Sequence, residues 1–149
     1  MASCSFFGHR EVYDDIGEIL KSTITDLIKT KNVDVFYVGN QGKFDHMVIK
    51  VLKELKECYR DIKCYEVLAY MPKQKGEFDS ENLDTIYPNV LEKTLPKYAI
   101  IKRNEWMVEN SEYVITYVRY SFGGAVKFKD FAEKKNKKVI NIKEIMCFD

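Results

Sequence analysis

The chain twice passes from a short strand-like run, through glycines, into a segment with helical spacing. The first copy follows residues 33–38 and carries Gly39 and Gly42, and the second follows residues 113–118 and carries Gly123-Gly124. β-branched and aromatic residues fill both runs, whereas the apolar residues beyond the glycines recur at intervals of three and four. A repeated unit of strand, glycine loop and helix predicts an α/β fold built on parallel strands.

The rest of the chain continues this alternation. Further strands are predicted at residues 2–7, 63–68 and 139–142, which brings the total to five. Helices are predicted between them, one of which begins at a cap on Asp14 or Asp15 and another of which spans residues 98–111. We therefore predict a three-layer sandwich, with a mainly parallel five-stranded sheet, helices on both faces and right-handed crossovers.

Three segments do not fit this alternation. Residues 73–82 carry charged and turn-forming residues without periodicity, which predicts an exposed loop. Pro88 and Pro96 limit any helix in residues 86–95 to a short piece. Residues 145–148 are predicted to pack as a short tail.

Four loops follow predicted strands and therefore share one edge of the sheet. They are Gly8-His9-Arg10, residues 39–45, residues 69–72 and residues 121–125. In parallel sheets, ligands bind at the carboxyl ends of the strands. We expect these loops to converge on one pocket.

The loop at Gly123-Gly124 has the features of a phosphate-binding site. Glycines lack the Cβ atoms that keep an anion away from the backbone, and the first turn of the next helix offers unpaired N–H groups. Lys127 falls in that turn, where a cation opposes the helix dipole and a bound anion would offset the cost. The alternative is that the glycine pair only turns the chain between a strand and a helix.

Several side chains near these loops have two interpretations each. His9 and Arg10 either donate to a phosphate or stabilise a turn. Asp45 either caps its helix or accepts hydrogen bonds from ribose hydroxyls. Tyr120 and Phe122 are candidates for stacking on a base.

Arg103 and Asn104 lie on a helix with an apolar face, where they either project toward the pocket or lie on the surface. Trp106 on the same helix is assigned to the core. Four lysines are assigned to a solvated helix end, where cations suit the dipole. They are Lys134, Lys135, Lys137 and Lys138.

The 149 residues fit one domain, spanning residues 1–149, and the net charge of +1 gives no overall attraction to polyanions. The sequence thus argues against nucleic acid and membranes as partners. Cys4, Cys58, Cys64 and Cys147 are widely spaced, which predicts free thiols in a reducing compartment. No leader-like or membrane-spanning run is present, so a cytoplasmic location is expected. No cofactor is predicted, and His46 lacks the neighbours that a metal site needs.

The motifs at these loops, taken in order, resemble the SLOG family, particularly its YpsA-like branch. They are Phe6-Phe7-Gly8-His9-Arg10, Gly39-Asn40-Gln41-Gly42-Lys43-Phe44-Asp45, Arg103-Asn104-Glu105-Trp106-Met107 and Gly123-Gly124. The resemblance covers nearly the whole chain. It implies a Rossmann-like fold related to DprA and to the LONELY GUY phosphoribohydrolases, with a nucleotide or nucleotide-derived ligand.

Enzymes of that superfamily carry the motif Pro-Gly-Gly-x-Gly-Thr-x-x-Glu and an upstream Arg-Lys-x-x-Met. Here Arg103, Met107, Gly123 and Gly124 match, whereas four positions differ. The departures are Phe122 for proline, Val126 for glycine, Lys127 for threonine and Asp130 for glutamate. An acid one methylene short puts hydrolysis in doubt, because proton transfer and charge stabilisation need accurate placement.

Two functions follow as hypotheses. The favoured one is a sensor or sequestering module for a nucleotide-derived ligand such as ADP-ribose or a cyclic relative. The alternative is a hydrolase of the N-glycosidic bond of a nucleoside monophosphate, with Arg103 and Asp130 as the catalytic pair. Single-stranded DNA binding, by analogy with DprA, is disfavoured by the near-neutral charge and the lack of a basic stripe.

The predicted ligand-binding residues come from the loops and from the helix that carries Arg103. They are Gly8, His9, Arg10, Gly39, Asn40, Gln41, Gly42, Asp45, Arg103, Asn104, Tyr120, Ser121, Phe122, Gly123, Gly124, Ala125 and Lys127. A homodimer or higher homo-oligomer is also expected, partly because Trp106 and Met107 exceed what one small core can cover.

Overall fold

A computed structural model describes residues 2–71 and 83–146, and it consists of six strands alternating with helices. The strands are β1 (Ala2–Gly8), β2 (Val33–Val38), β3 (Lys63–Val67), β4 (Asp84–Ile86), β5 (Tyr113–Tyr117) and β6 (Lys138–Asn141). The helices are α1 (Gly17–Lys31), α2 (Lys43–Cys58), α3 (Ala99–Glu109), α4 (Gly124–Lys134) and α5 (Ile142–Met146).

All six strands form one parallel sheet in the order β4-β3-β2-β1-β5-β6. The predicted α/β class and the five predicted strands are confirmed. The sixth strand, β4, has only three residues, and two of them are exposed, so it carries no buried apolar run. The predicted exposed loop at residues 73–82 lies outside the described residues.

Helices cover both faces of this sheet, and each face has its own core. One core joins α1, α2 and the start of α5 to the sheet, through side chains such as Leu20, Leu52 and Ile142. The other joins α3 and α4 to the opposite face, through Met107 and Phe128. Alternate residues of β1 and β5 point to opposite faces, and nearly all residues of both strands are buried, as expected for a sheet covered on both sides.

β1 lies at the centre of the sheet, and the direction of strand order reverses beside it. Successive strands β2, β3 and β4 extend to one side of β1, whereas β5 and β6 lie on the other. In open parallel sheets such a switch point leaves a crevice at the carboxyl ends of the strands. The loops after β1 and β5 therefore border the expected ligand site.

The predicted cap of α1 is wrong. The residue before the helix is Ile16, and no side chain caps it. Asp14 instead accepts a hydrogen bond from the Tyr117 hydroxyl and lies 3.6 Å from both the Arg119 guanidinium and the Lys143 ammonium. A carboxylate this close to two cations gains more from pairing than from the helix end.

The remaining predicted features are the short helical pieces, the free cysteines and the lack of a membrane span. Residues 89–93 and 96–98 form short 3₁₀ helices between Pro88 and α3, and α5 covers the start of the predicted tail. Cys4, Cys58 and Cys64 are free, whereas Cys147 lies outside the described residues. In residues 2–71 and 83–146, no helix is long and apolar enough to cross a bilayer.

We predict that Gly8→Ala destabilises the protein by about 1–3 kcal/mol, because the added Cβ would lie 2.2 Å from the Phe44 ring. The matched control is Gly17→Ala, where the nearest atom would be 3.8 Å away at the start of α1. There, lower unfolded-state entropy should leave stability equal or higher. Urea unfolding of both variants checks this, and equal stabilities for the two would contradict it.

Candidate functional site

A cavity of about 380 Å³ lies at the carboxyl edge of the sheet, in the predicted crevice. Its wall combines loop residues after β1 and β2, one side of α3 and the first residues of α4. The lining residues are Phe6, Phe7, Gly8, His9, Arg10, Gly39, Gln41, Asp45, Ile100, Arg103, Asn104, Met107, Gly123, Gly124, Ala125 and Phe128. The structure thus brings together the two glycine loops and the predicted arginines.

The glycines that immediately precede α2 and α4 have nearly the same backbone angles but different surroundings. Gly42, before α2, has φ 99° and ψ −178°, and Gly123, before α4, has φ 105° and ψ 172°. A Cβ on Gly42 would lie 2.6 Å from the Arg10 backbone, whereas one on Gly123 would meet no atom within 4 Å. The loop after β1 therefore closes the start of α2, and the start of α4 stays open.

The open start of α4 has the properties of an anion site. Gly123 precedes the helix without a side-chain cap, and the first turn contains no acidic residue. A Cβ on Gly124 would also meet no atom within 4 Å, and Gly124 and Ala125 line the cavity. The unpaired N–H groups and positive dipole end of α4 thus lie beside a cavity with room for a ligand.

Arg103 is a buried part of the wall of the same cavity. Only 2% of its surface is exposed, and burial lowers its pKa, against the effect of nearby Asp45. Its Nη1 donates to the carbonyl of Val67 at 3.2 Å, and its Nε donates to Oδ1 of Asn104 at 2.9 Å. A Cβ on Gly39 would lie 3.0 Å from Nη1, so glycine at the end of β2 makes room for the guanidinium.

Asp45 is the second buried charge in the cavity wall. Its Oδ2 accepts a hydrogen bond of 2.8 Å from the backbone N–H of Gln41, a contact that resembles a helix cap. Burial raises the pKa of Asp45 to about 6, against the Gln41 hydrogen bond and the charge of Arg103. Nearby Glu66, also buried, has its pKa raised by desolvation. Asp45 thus combines the two roles considered for it, as a cap and as part of the cavity.

Three polar contacts hold the loop between β5 and α4. Asn141 accepts a hydrogen bond from the Val118 N–H and donates one to the Val118 carbonyl, both at 3.0 Å. Nε2 of His9 accepts a hydrogen bond of 3.0 Å from the Arg119 N–H. The loop that carries Gly123 is therefore tied to β6 and to the loop after β1. Asn141 was not singled out by the sequence, although its position at the end of a strand was a usable signal.

Seven predicted site residues do not line this cavity. Asn40 lines a separate groove with His46 and Glu66, and Lys127 and Asp130 line another between α3 and α4. Tyr120, Ser121 and Phe122 are exposed on the loop, and Gly42 packs against Arg10. The pairing of Arg103 with Asp130 is not present, because Asp130 is exposed in a different groove from buried Arg103.

The apolar part of the cavity was not predicted as part of the site. Phe6 and Phe7 precede the first loop, whereas Ile100, Met107 and Phe128 come from helices that the sequence assigned to packing. Helical spacing identifies an apolar face but does not tell which end of it stays uncovered at a sheet edge. Trp106 is half-buried and packs edge-on against Tyr37 at 5.2 Å, as its core assignment predicted.

No protein-family model and no curated protein matches the sequence. Among solved structures, DNA processing protein A (DprA) from Streptococcus pneumoniae matches with a TM-score of 0.64 and 15% identity, over 93% of this chain and 49% of that one. DprA from Helicobacter pylori, described with a single-stranded DNA binding mode, matches with a TM-score of 0.57 and 15% identity, over 93% of this chain and 63% of that one.

At this identity the similarity establishes a shared fold, and the chain spans about half the length of the first of these proteins. It confirms a Rossmann-like fold shared with DprA, whereas the resemblances to the SLOG family, its YpsA-like branch and LONELY GUY proteins stay predictions. The prediction that argued against nucleic acid as a partner is wrong. The H. pylori protein, part of which shares this fold, is described with a single-stranded DNA binding mode, so a net charge of +1 is no ground for excluding nucleic acid. Local charge decides such contacts.

We predict that the stability difference between the wild type and Asp45→Asn depends on pH. The folded pKa of about 6 lies above the usual 3.8, so the folded state binds this proton more tightly than the unfolded chain. The contribution of Asp45 is therefore fully present below about pH 4 and is lost as pH rises through 6. The wild type should lose roughly 2–3 kcal/mol relative to Asp45→Asn between pH 4 and 7. Urea titrations at several pH values measure this, and a pH-independent difference would refute it.

We also predict different costs for alanine at the two positive-φ glycines. Both substitutions force alanine into a region that only glycine occupies readily, which costs about 1–3 kcal/mol. Gly42→Ala should cost a further 1–3 kcal/mol or so because its Cβ meets the Arg10 backbone, whereas Gly123→Ala meets nothing. Thermal unfolding of the two variants checks this. Equal losses of stability would contradict it, because they would mean that the Arg10 backbone moves aside without cost.

Proposed function

We propose that this chain is a nucleotide-binding module that holds the phosphate of its ligand at the start of α4. One observation carries the proposal: the uncapped helix start at Gly123-Gly124 opens into a cavity that also contains buried Arg103 and Asp45. An anion there would pair with the first-turn N–H groups and the helix dipole. The size of the cavity, about 380 Å³, suits a ligand on the scale of a mononucleotide.

The opposite wall supplies groups for the rest of the ligand. Asp45 has two carboxylate oxygens, one of which already accepts from Gln41, so the carboxylate retains capacity for a ribose hydroxyl. Arg103 and Asn104 add a buried cation and an amide. Phe7, Met107 and Phe128 add apolar surface to the same cavity, against which a sugar or base can pack.

Ligand binding without turnover is the favoured form of this proposal. A glycosidase needs two catalytic groups that reach the same bond. The acid that replaces the glutamate of the enzyme motif, Asp130, is exposed and borders a different groove from the one that holds Arg103. Among the described residues that line the cavity, Asp45 is the one carboxylic acid, so it has no second carboxyl group to work with.

Single-stranded DNA is a second candidate ligand for the same site. The fold is shared with the H. pylori DprA that is described with a single-stranded DNA binding mode. Beside the cavity, Tyr120 and Phe122 stack on each other at 5.5 Å and remain 41% and 72% exposed. Exposed aromatic side chains next to a phosphate site can stack successive bases of a strand.

We predict that Gly124→Leu abolishes phosphate-dependent binding while the fold stays intact. The variant fills the space through which a phosphate approaches the backbone, although its Cβ meets no protein atom. The control is Gly17→Leu, at the same first position of α1 but away from the cavity. Thermal shift with AMP, ADP-ribose and cyclic nucleotides reports binding, and a hundredfold excess over Kd stabilises by about 2.7 kcal/mol. Chromatography of the same samples shows whether each compound is recovered intact.

Three outcomes are distinguishable. Nucleotide-dependent stabilisation in the wild type and in Gly17→Leu, but not in Gly124→Leu, supports the proposal. Binding of a labelled oligothymidylate that weakens with salt and is also lost in Gly124→Leu, with no effect of nucleotides, supports the DNA candidate instead. Release of free base, lost in Arg103→Ala, would replace the module with a hydrolase.

A further inference from the structure

The imidazole of His9 connects two of the loops that border the cavity. Its Nε2 accepts a hydrogen bond of 3.0 Å from the backbone N–H of Arg119. The ring also lies 5.0 Å from the Tyr120 ring and meets Tyr117 edge-on at 6.1 Å. Tyr117, Arg119 and Tyr120 all precede Gly123 within the same strand and loop, so His9 contacts the segment that leads into the open helix start.

Only a neutral ring can make this contact. A nitrogen that accepts a hydrogen bond carries no proton, so the ring proton must be on Nδ1. Protonation would turn Nε2 into a donor that faces the N–H donor of Arg119, and the bond would be lost. It would also place a second cation beside the Arg119 side chain.

We propose that His9 is a positioning residue that holds the β5–α4 loop ready for anion binding when it is neutral and loosens the loop when it is protonated. This inference rests on the proposed function, because it assumes that the start of α4 takes an anion. It adds pH regulation of that site. Affinity for the anion falls at acid pH because His9 is protonated, not because the ligand changes its charge.

The groups with shifted pKa values around the ring keep their protonation state through the neutral range, which leaves His9 as the titrating group among them. Tyr117 has its pKa raised to about 12, the pKa of Arg119 is also raised, and Asp14, which pairs with Arg119, has its pKa lowered. Burial and the charge of Arg119 lower the pKa of His9 itself, which favours the neutral ring. Across the cavity, however, Asp45 also titrates near pH 6, so the test must separate the two.

The test compares the wild type with His9→Ala and His9→Gln. The terminal oxygen of glutamine can occupy the place of Nε2 and accept from Arg119 at any pH, whereas alanine cannot accept at all. Asp45 is present in all three proteins, so the difference between their pH profiles isolates the residue at position 9. Sulfate is the probe, because its charge stays constant between pH 5.5 and 7.5 and helix starts bind it as they bind phosphate.

Amide NMR measures ligand binding and the His9 contact on the same sample. The Gly124 signal reports sulfate binding, and hydrogen exchange at the Arg119 amide reports its hydrogen bond to His9. At pH 7.5 we expect His9→Ala to bind sulfate about three- to tenfold more weakly than the wild type, the range for one lost hydrogen bond. His9→Gln should recover most of that loss. As pH falls through the pKa of His9, which lies below its usual 6.5, the wild type should weaken by a similar factor relative to His9→Gln.

Two results would overturn the proposal. One is equal sulfate affinity of His9→Ala and the wild type at pH 7.5, in proteins whose remaining amide spectra agree. The other is a parallel pH profile of the wild type and His9→Gln. If the wild type binds no sulfate, the proposed function fails. Hydrogen exchange alone then tests the contact between His9 and Arg119. That contact requires the Arg119 amide to be protected in the wild type and in His9→Gln but not in His9→Ala.

Discussion

The site depends on the position of Arg103, whose guanidinium lies beside Gly39 at the end of β2. Arg103 comes from α3 on one face of the sheet, and Asp45 comes from α2 on the other. Both side chains lie close to Gly39, where a Cβ would lie 3.0 Å from the guanidinium and 3.1 Å from the carboxylate. A single missing side chain at the edge of the sheet thus lets the two helical layers share one polar wall.

Burying Arg103 and Asp45 in the cavity wall lowers the stability of the fold, so their burial points to a role other than packing. Moving a guanidinium and a carboxylate out of water is unfavourable unless hydrogen bonds and opposite charge compensate. Here Arg103 donates to Val67 and Asn104, and Asp45 accepts from Gln41, yet burial still raises the pKa of Asp45 to about 6. An apolar wall of the same size would be cheaper, and perturbed charges at a cavity are typical of binding sites.

The difference between the two glycine-led helices explains why one of them is available to a ligand. Gly42 and Gly123 share a backbone conformation, but the backbone of Arg10 covers the first, and its carbonyl accepts a hydrogen bond of 2.8 Å from Lys43. The chain itself thus satisfies the start of α2. The start of α4 is left to solvent or to a bound anion, and the contacts of His9 and Asn141 hold its loop in place.

Local pattern was enough to predict the strands, the long helices and the parallel sheet, because alternation, spacing and glycine position are encoded within a few neighbouring residues. It also placed Arg10, Gly39, Asp45, Arg103 and Gly124 near one edge, since parallel strands all end there. Three features depended on tertiary contacts between distant segments. Asp14 pairs with Arg119 and Lys143 instead of capping α1, and Asp130 lines a groove that does not contain Arg103. β4 pairs with its neighbour through only three residues. Which charges are buried, and which of two similar glycine loops stays open, are decided by residues far apart in the chain that meet only once the layers pack.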